Sequence, residues 1–280
     1  MNDLDRIITR INTEGEVPKA LGTSHILFVI GIVSLCALLF WKFRDTSDKN
    51  FRIFIGVMFG IMLIGELLKQ TLLNITIEEG KAVFTYNWTQ LPFQLCSTPL
   101  YVLPFLTILP DCRLRDFFAA YTMTVSLIGG IAVYLVPKTI FTTKVFCNIQ
   151  TMVHHGLQIV SGVYTAMYYR RRINKRFYFD GICLFAVMFI IANLLNTVGY
   201  DMLVANGLIT EGTKFNMFYL SPRADQSIPI LSEFLKSFHP AVYIIGYFVL
   251  VSLGAIIIMC FTSLVYRISQ KQSEKEIEEV

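Results

Sequence analysis

Long apolar runs recur along this sequence and leave little choice of fold. Five runs of about twenty or more residues carry almost no charge, and two further runs are more polar. More than half of the residues are hydrophobic and 16% are charged, which is more apolar surface than a soluble domain can bury. The sequence therefore predicts an all-α polytopic membrane bundle of about seven transmembrane helices within residues 22–266: 22–43, 51–73, 91–109, 117–136, 148–169, 181–200 and 240–266.

The lysines and arginines of the short connections predict the orientation. Clusters within 42–52, 113–115, 170–176 and 267–275 fall on one side of the predicted membrane. Because basic loops stay in the cytoplasm, we expect the N-terminus outside and the C-terminus inside, with residues 267–280 as a charged cytoplasmic tail. In a bacterium such a multi-pass protein would lie in the plasma membrane. The net charge of +4 is small and its basic residues are scattered, so no nucleic-acid partner is predicted. The sequence predicts no oligomeric state.

Two segments of the predicted outer side have an amphipathic pattern. Residues 3–12 place isoleucines and a leucine at helical spacing, which favours a helix on the membrane surface within the outer segment 1–21. In the long outer loop 201–239, a similar stripe runs from Ile230 to Phe238. Such a stripe fits a lid over a site or simple packing against the bundle.

Polar residues gather in the outer halves of the predicted helices. Counted at the rise of an α-helix, they fall within roughly 10 Å of one another in depth. Polar groups in hydrocarbon are costly, so this layer indicates a site, although residues near helix ends also reach the headgroups. The layer comprises His25, Glu66, Gln94, Cys96, His154, His155, Gln158, Asn193, Asn196, His239 and Tyr243.

The third predicted helix is broken by prolines beside a cysteine. Pro99 cannot donate to the carbonyl of Leu95, so we expect a kink at Cys96. Cys96 is then an inert buried residue, a thiolate nucleophile activated by an imidazole, or a disulfide partner of Cys147. The six cysteines have no metal-binding or redox spacing, so neither a metal site nor a cofactor is predicted.

Several short motifs resemble the YwaF-like integral membrane proteins. They are Gly22-Thr23-Ser24-His25, Leu91-Pro92-Phe93-Gln94-Leu95-Cys96-Ser97, Gly129-Gly130 with Pro137, the histidines of the fifth helix, Asn216-Met217-Phe218-Tyr219-Leu220-Ser221-Pro222, and His239-Pro240-Ala241-Val242-Tyr243. The resemblance covers nearly the whole chain, and its cysteine motif is the most specific part. An animal branch of this family is described as a phospholipid acyltransferase with a membrane-embedded cysteine and histidine.

The resemblance implies that Cys96 is the nucleophile and that His154 or His155 is its base, with membrane phospholipids and lysolipids as substrates. In this hypothesis Glu66 or Asn193 orients the imidazole, and Gln94 or a free backbone N–H binds the oxyanion. His25, Asn196 and Tyr243 are further candidate supporting or substrate-binding residues.

Two other functional classes remain open. A small-solute or ion transporter would use Glu66 and the histidines as a proton relay. A receptor shares the seven-helix topology, but a retinal photoreceptor is excluded because residues 240–266 contain no lysine for a Schiff base.

Overall fold

The computed structural model describes residues 11, 13–43, 45–78, 81–221, 223 and 239–278. Within this part of the chain, seven helices of ten or more residues follow the order of the predicted spans. They are α1 (Thr23–Lys42), α2 (Asp48–Leu73), α3 (Pro99–Ile108), α4 (Arg113–Leu135), α5 (Val145–Tyr169), α6 (Lys175–Ala205) and α7 (Pro240–Glu278). The strands β1 (Ile75–Glu78) and β2 (Lys81–Phe84) form an antiparallel hairpin after α2, in which Ile75 pairs with Phe84.

The described chain is a helical membrane bundle. Helices α1, α2, α4, α6 and α7 are long and apolar enough to cross a bilayer. Many large apolar side chains on α1, α2, α6 and α7 are exposed, among them Leu27, Ile64, Ile190 and Ile257. A surface of this kind is stable only against lipid or another protein. The prediction of an all-α integral membrane protein with several spans is therefore confirmed, with the short hairpin as an addition.

Helix α5 lies at the centre of the bundle, and this position accounts for its many polar side chains. It packs against α1, α2 and α4, and most of its side chains are buried. With 25 residues it is roughly 37 Å long, enough to cross the hydrocarbon core. Since protein rather than lipid surrounds α5, its polar side chains can find partners inside the bundle.

The third predicted span is shorter than expected. Residues 91–109 were predicted as one kinked helix, but α3 begins only at Pro99 and ends at Ile108. Ten residues reach roughly 15 Å, about half of the hydrocarbon thickness. Pro99 stands in the first turn of α3, where its missing N–H costs nothing, so it starts a helix instead of kinking one. The preceding residues Leu95–Ser97 form a single 3₁₀ turn.

Helix caps move several boundaries beyond the apolar runs. Ser47 accepts a hydrogen bond from the Asn50 N–H, so α2 begins before the predicted residue 51. Asn174 caps α6 in the same way, and α6 continues to Ala205 instead of residue 200. The charged tail 267–280 stays a prediction, and the structure adds that α7 remains helical to Glu278. The residues after Tyr266 are good helix formers without glycine or proline, so nothing in the sequence stops the helix there.

The connections that carry the predicted cytoplasmic charges meet at one end of the bundle, here called the basic end. Arg170 pairs with Asp45, and Arg115 binds Asp48 at 2.6 Å. Arg172 binds Asp111 at 2.5 Å. The opposite end is called the outer end, after the predicted orientation. The predicted surface helix 3–12 (apart from Ile11) and the stripe from Ile230 to Phe238 lie outside the described residues.

Candidate functional site

A large cavity lies at the outer end of the bundle and contains Cys96. Its volume is about 660 Å³, within the range of sites for small organic ligands. Its wall is mainly apolar. Helices α2, α4, α5 and α7 and the segments between the helices line it, with the residues Lys69, Leu73, Gln90, Leu95, Cys96, Gly129, Ala132, Val133, Val136, Ile140, Thr142, Thr143, Lys144, Cys147, Thr151, His155, Tyr219 and Tyr247.

Cys96 lies in the 3₁₀ turn before α3, and its thiol is free. Cys147 lines the same cavity and is also free, so the disulfide considered between these two residues is not formed. The turn is fixed at Thr98, whose hydroxyl donates to the Leu95 carbonyl at 2.7 Å. The hydroxyl of Tyr121 on α4 donates to Thr98 Oγ1 at 2.9 Å. This short 3₁₀ turn thus holds the cysteine against the cavity.

His154 is in direct contact with Cys96. Its Nε2 lies 3.0 Å from the main-chain carbonyl oxygen of Cys96, across 58 residues of sequence. Because a carbonyl oxygen only accepts, Nε2 carries the proton in this arrangement and Nδ1 has the lone pair. Nδ1 is buried and has no hydrogen-bond partner. The structure therefore brings this imidazole to the cysteine while one of its nitrogens is unused.

His155 has the opposite proton arrangement. Its Nδ1 donates to the carbonyl oxygen of Thr151 one turn earlier, at 2.7 Å, so Nε2 has the lone pair and is buried without a partner. Its ring centroid is 5.6 Å from that of His154. His155 lines the cavity with Cys96, but no hydrogen bond in the described part of the chain joins the two residues.

Glu66 is held by three neighbours, none of which is a histidine. Its carboxylate pairs with Lys69 at 2.7 Å and accepts from Gln70 at 2.8 Å and from Gln150 at 3.4 Å. Among the described residues, no hydrogen bond joins Glu66 to His154. Gln150 lies one turn before His154 on α5, so Glu66 fixes the α5 face that carries the imidazole instead of touching it.

Gln94, Asn196 and Tyr243 converge on one segment of the outer loop, Asn216–Tyr219. Gln94 donates to the Asn216 carbonyl and accepts from the Phe218 N–H, so both ends of its amide are occupied. Asn196 binds the backbone of Met217 in the same manner: its amide nitrogen donates to the Met217 carbonyl at 2.9 Å, and its amide oxygen accepts from the Met217 N–H at 2.6 Å. The Tyr243 hydroxyl donates to the Tyr219 carbonyl at 2.6 Å. These predicted site residues thus hold the loop backbone.

The remaining candidates lie apart from the Cys96 cavity. Asn193 donates to the Phe189 carbonyl of its own helix, at 2.9 Å. His25 is buried and its Nδ1 accepts from the Leu21 N–H at 3.2 Å. It lines a second cavity of about 620 Å³, between the start of α1 and α5, that shares no lining residue with the first. The polar residues of the predicted layer therefore lie in separate environments.

Comparison with known protein families identifies the family of this chain. A model of the TMEM164 family matches residues 20–265, which include every residue of the site. The chain belongs to the TMEM164 family. Comparison with the curated proteins and with the solved structures gave no match. The family is one of transmembrane proteins, in agreement with the bundle, whereas the YwaF-like resemblance and the acyltransferase activity rest on the motifs of the sequence.

The cavity of this TMEM164-family protein includes residues that the sequence interpretation did not select. Lys69 is a basic residue inside an otherwise apolar run, a signal that the sequence offered. Tyr247 stands one turn after Tyr243, so both follow one face of α7. Tyr219 lies within a motif that had been noted without a role. Its orientation into the cavity depends on backbone angles that no periodicity reveals.

Proposed function

We propose that this protein is a membrane-embedded lipid acyltransferase that carries the acyl chain as a thioester on Cys96. The observation that supports it best is the contact of His154 with Cys96 at the edge of a mainly apolar cavity. A thiol needs a base to become a strong nucleophile, and the cavity wall suits an acyl chain. The motif resemblance points to the same pair of residues.

In the first half-reaction, the Cys96 sulfur attacks the ester carbonyl carbon of a phospholipid. A C–S bond forms, the bond from the carbonyl carbon to the glycerol oxygen breaks, and the lysolipid leaves. The thiol proton passes to the histidine and then to the departing oxygen. In the second half-reaction the histidine takes a proton from the hydroxyl of a lysolipid acceptor, whose oxygen attacks the thioester carbonyl carbon. The C–S bond breaks, and the histidine returns the proton to the Cys96 sulfur.

His154 is the base in this proposal because its Nε2 faces Cys96. In the resting structure Nε2 carries a proton and donates it to the Cys96 carbonyl. Moving that proton to the unpartnered Nδ1 breaks no bond at Nδ1 and makes Nε2 an acceptor for the thiol. The lost bond to the carbonyl is offset by the new one to the thiol. His155, held by Thr151, keeps a fixed orientation beside it.

Lipid mass spectrometry tests the proposal directly. The purified protein is placed in phospholipid vesicles with a lysolipid of different headgroup, and acyl exchange is followed over time. We expect exchange by the wild type and none above background by Cys96→Ala. Cys147→Ala is the matched control, because it removes another free thiol of the same cavity, for which no histidine contact is described. It should retain most of the activity.

Two outcomes would contradict the proposal. If Cys96→Ala still exchanges acyl chains as the wild type does, the cysteine is not the carrier. If the wild type shows no exchange with several donor and acceptor lipids, acyl transfer between them is wrong. Proton-coupled transport through Glu66 would then become the leading hypothesis, with solute uptake in vesicles as its assay.

A further inference from the structure

Two tyrosine hydroxyls in the Cys96 cavity are unused. Tyr219 and Tyr247 both line it, and neither hydroxyl has a hydrogen-bond partner in the part of the chain that the structure describes. Nearby phenols are occupied: Tyr121 donates to Thr98 at 2.9 Å, and Tyr134 to the Met152 carbonyl at 2.8 Å. A phenol donor is costly to leave unpaired in an apolar setting, so two of them in one cavity suggest a ligand oxygen.

The backbone around Tyr219 is strained and yet firmly fixed. Phe218 and Tyr219 both have left-handed conformations, with φ of 54° and 59°, although neither is glycine. Such residues persist only where the surroundings impose the conformation. Gln94 binds the Phe218 N–H and Asn196 binds the Met217 N–H just before the strained pair, and the Phe218 ring stacks on Phe93 at 5.6 Å.

Tyr243 connects the two unused phenols. Its hydroxyl holds the Tyr219 carbonyl at 2.6 Å, and its ring lies 6.1 Å from that of Tyr247 one turn later on α7. The Tyr247 ring is also stacked with Phe189 of α6, at 6.1 Å. The ring of Tyr247 is therefore held by packing and the backbone of Tyr219 by a hydrogen bond, in advance of any ligand. Preorganised donors of this kind are what a developing oxyanion requires.

Gln94, which the sequence suggested for the oxyanion, is not free to act. Its amide nitrogen donates to Asn216 and its amide oxygen accepts from Phe218, at 2.7 and 3.0 Å. Using it for a substrate would release the strained turn that it holds. The oxyanion donor must come from elsewhere in the cavity.

We propose that the hydroxyls of Tyr219 and Tyr247 form the oxyanion-binding pair for acyl transfer at Cys96. When the sulfur attacks an ester or thioester carbonyl, the C=O electron pair moves onto oxygen. Both phenols donate hydrogen bonds to that oxygen and keep their protons throughout. When the leaving group departs, the pair returns to the C=O bond. This assignment rests on the acyl transfer proposed above, and it adds the substrate class, which is a carbonyl compound.

Two thiol reagents test the oxyanion-binding role, because only one of them forms an oxyanion when it reacts. Iodoacetamide alkylates a thiol at a saturated carbon, so no oxyanion develops. The 4-nitrophenyl ester of decanoic acid acylates the thiol through a tetrahedral oxyanion and releases nitrophenolate. Both rates are measured at Cys96 by site-resolved peptide mass spectrometry, for the wild type and for Tyr219→Phe, Tyr247→Phe and the double variant. Phenylalanine keeps the ring, so the packing and the strained turn remain.

We expect acylation of Cys96 to fall by about 10²–10³-fold when either hydroxyl is removed, the usual effect of losing one oxyanion donor. Alkylation of Cys96 should change by less than about twofold. Tyr178→Phe is the control, because it removes a phenol that donates to the Ser252 carbonyl away from the cavity. It should leave both rates unchanged. Thermal unfolding of each variant checks that the bundle is intact.

Three results would overturn the assignment. Equal losses in both reactions would show that the tyrosines act on the thiol itself. Wild-type acylation rates in both single variants and in the double variant would show that they do not act. If Cys96 of the wild type is alkylated but never acylated, acyl transfer and the oxyanion pair both fail. The first two results leave the proposed function standing, so the two failures are distinguishable.

Discussion

The two adjacent histidines offer a test that separates catalysis from structure. His154 donates through Nε2 to Cys96, whereas His155 donates through Nδ1 to Thr151. The amide nitrogen of glutamine can reach the position of Nε2, and that of asparagine the position of Nδ1. His154→Gln and His155→Asn therefore keep the hydrogen bond of the resting structure. Each removes the nitrogen that could accept a proton.

The expected losses follow from these contacts. His154→Ala leaves the partly buried Cys96 carbonyl without this partner, which costs about 1–3 kcal/mol of stability, and it removes the base. His154→Gln restores the donor and should recover most of that stability. It should still lose about 10²–10⁴-fold in rate, or about 3–5 kcal/mol of transition-state stabilisation, since an amide is no base. His155→Asn should retain activity within about tenfold.

The assay combines two measurements on the same samples. Initial rates of acyl exchange in lysolipid-containing vesicles give the catalytic effect, and thermal unfolding in detergent gives the structural one. His154→Gln is expected to match His154→Ala in rate but not in stability. The contrast between the two substitutions matters more than either absolute value.

One pattern would refute the assignment of the base. If His154→Gln keeps the wild-type rate within about threefold while His155→Asn loses a hundredfold or more, His154 serves only to hold the Cys96 backbone. The lone pair on Nε2 of His155 would then be the proton acceptor. The resting geometry would in that case be the catalytic one, without the proton shift from Nε2 to Nδ1.

Two further substitutions test how the site is supported. Asn196→Ala removes both hydrogen bonds to Met217 and should destabilise the protein by about 1–3 kcal/mol, measured by thermal unfolding. It should also reduce the rate of acyl exchange. An unchanged rate would show that the loop does not position the site. Gly130→Ala would place a methyl group 3.0 Å from the His155 carbonyl, so we expect α4 and α5 to separate and both stability and rate to fall. Gly60→Ala, with no atom within 4 Å of the added methyl, should be neutral or slightly stabilising, and equal effects of the two would contradict the packing argument.

The sequence predicted the bundle well because apolar length is a local property. Each predicted span corresponds to a helix, and the earlier starts of α2 and α6 come from the caps Ser47 and Asn174, which precede the apolar run. The third span was the exception. Proline was interpreted as a kink in a helix, although at the first turn it equally marks a helix start, and only the packing of the Cys96 turn decides between them.

The grouping of the candidate residues was not predictable from the sequence. Glu66 binds Gln150 and not an imidazole, and His25 belongs to a different cavity. Depth follows from position along each helix, whereas grouping depends on helix rotation and on loop conformation. The left-handed backbone that orients Tyr219 has no counterpart in composition or period. Such long-range contacts are outside what a single sequence reveals.

The distribution of polarity along α2 bears on which function the bundle can perform. From Glu66 toward the basic end, the buried positions of this helix are Met62, Met58, Ile55 and Phe51, an uninterrupted apolar stripe. At the basic end Phe51 stacks on Tyr168, and Arg115 is fully buried against Asp48. A proton path that follows α2 would need polar groups or water along this stripe. Buried polar side chains do continue toward the basic end on α5, at Gln158, Ser161 and Thr165. Chemistry at the outer end needs no path across the membrane, because the cysteine, the imidazole and the cavity already lie together there.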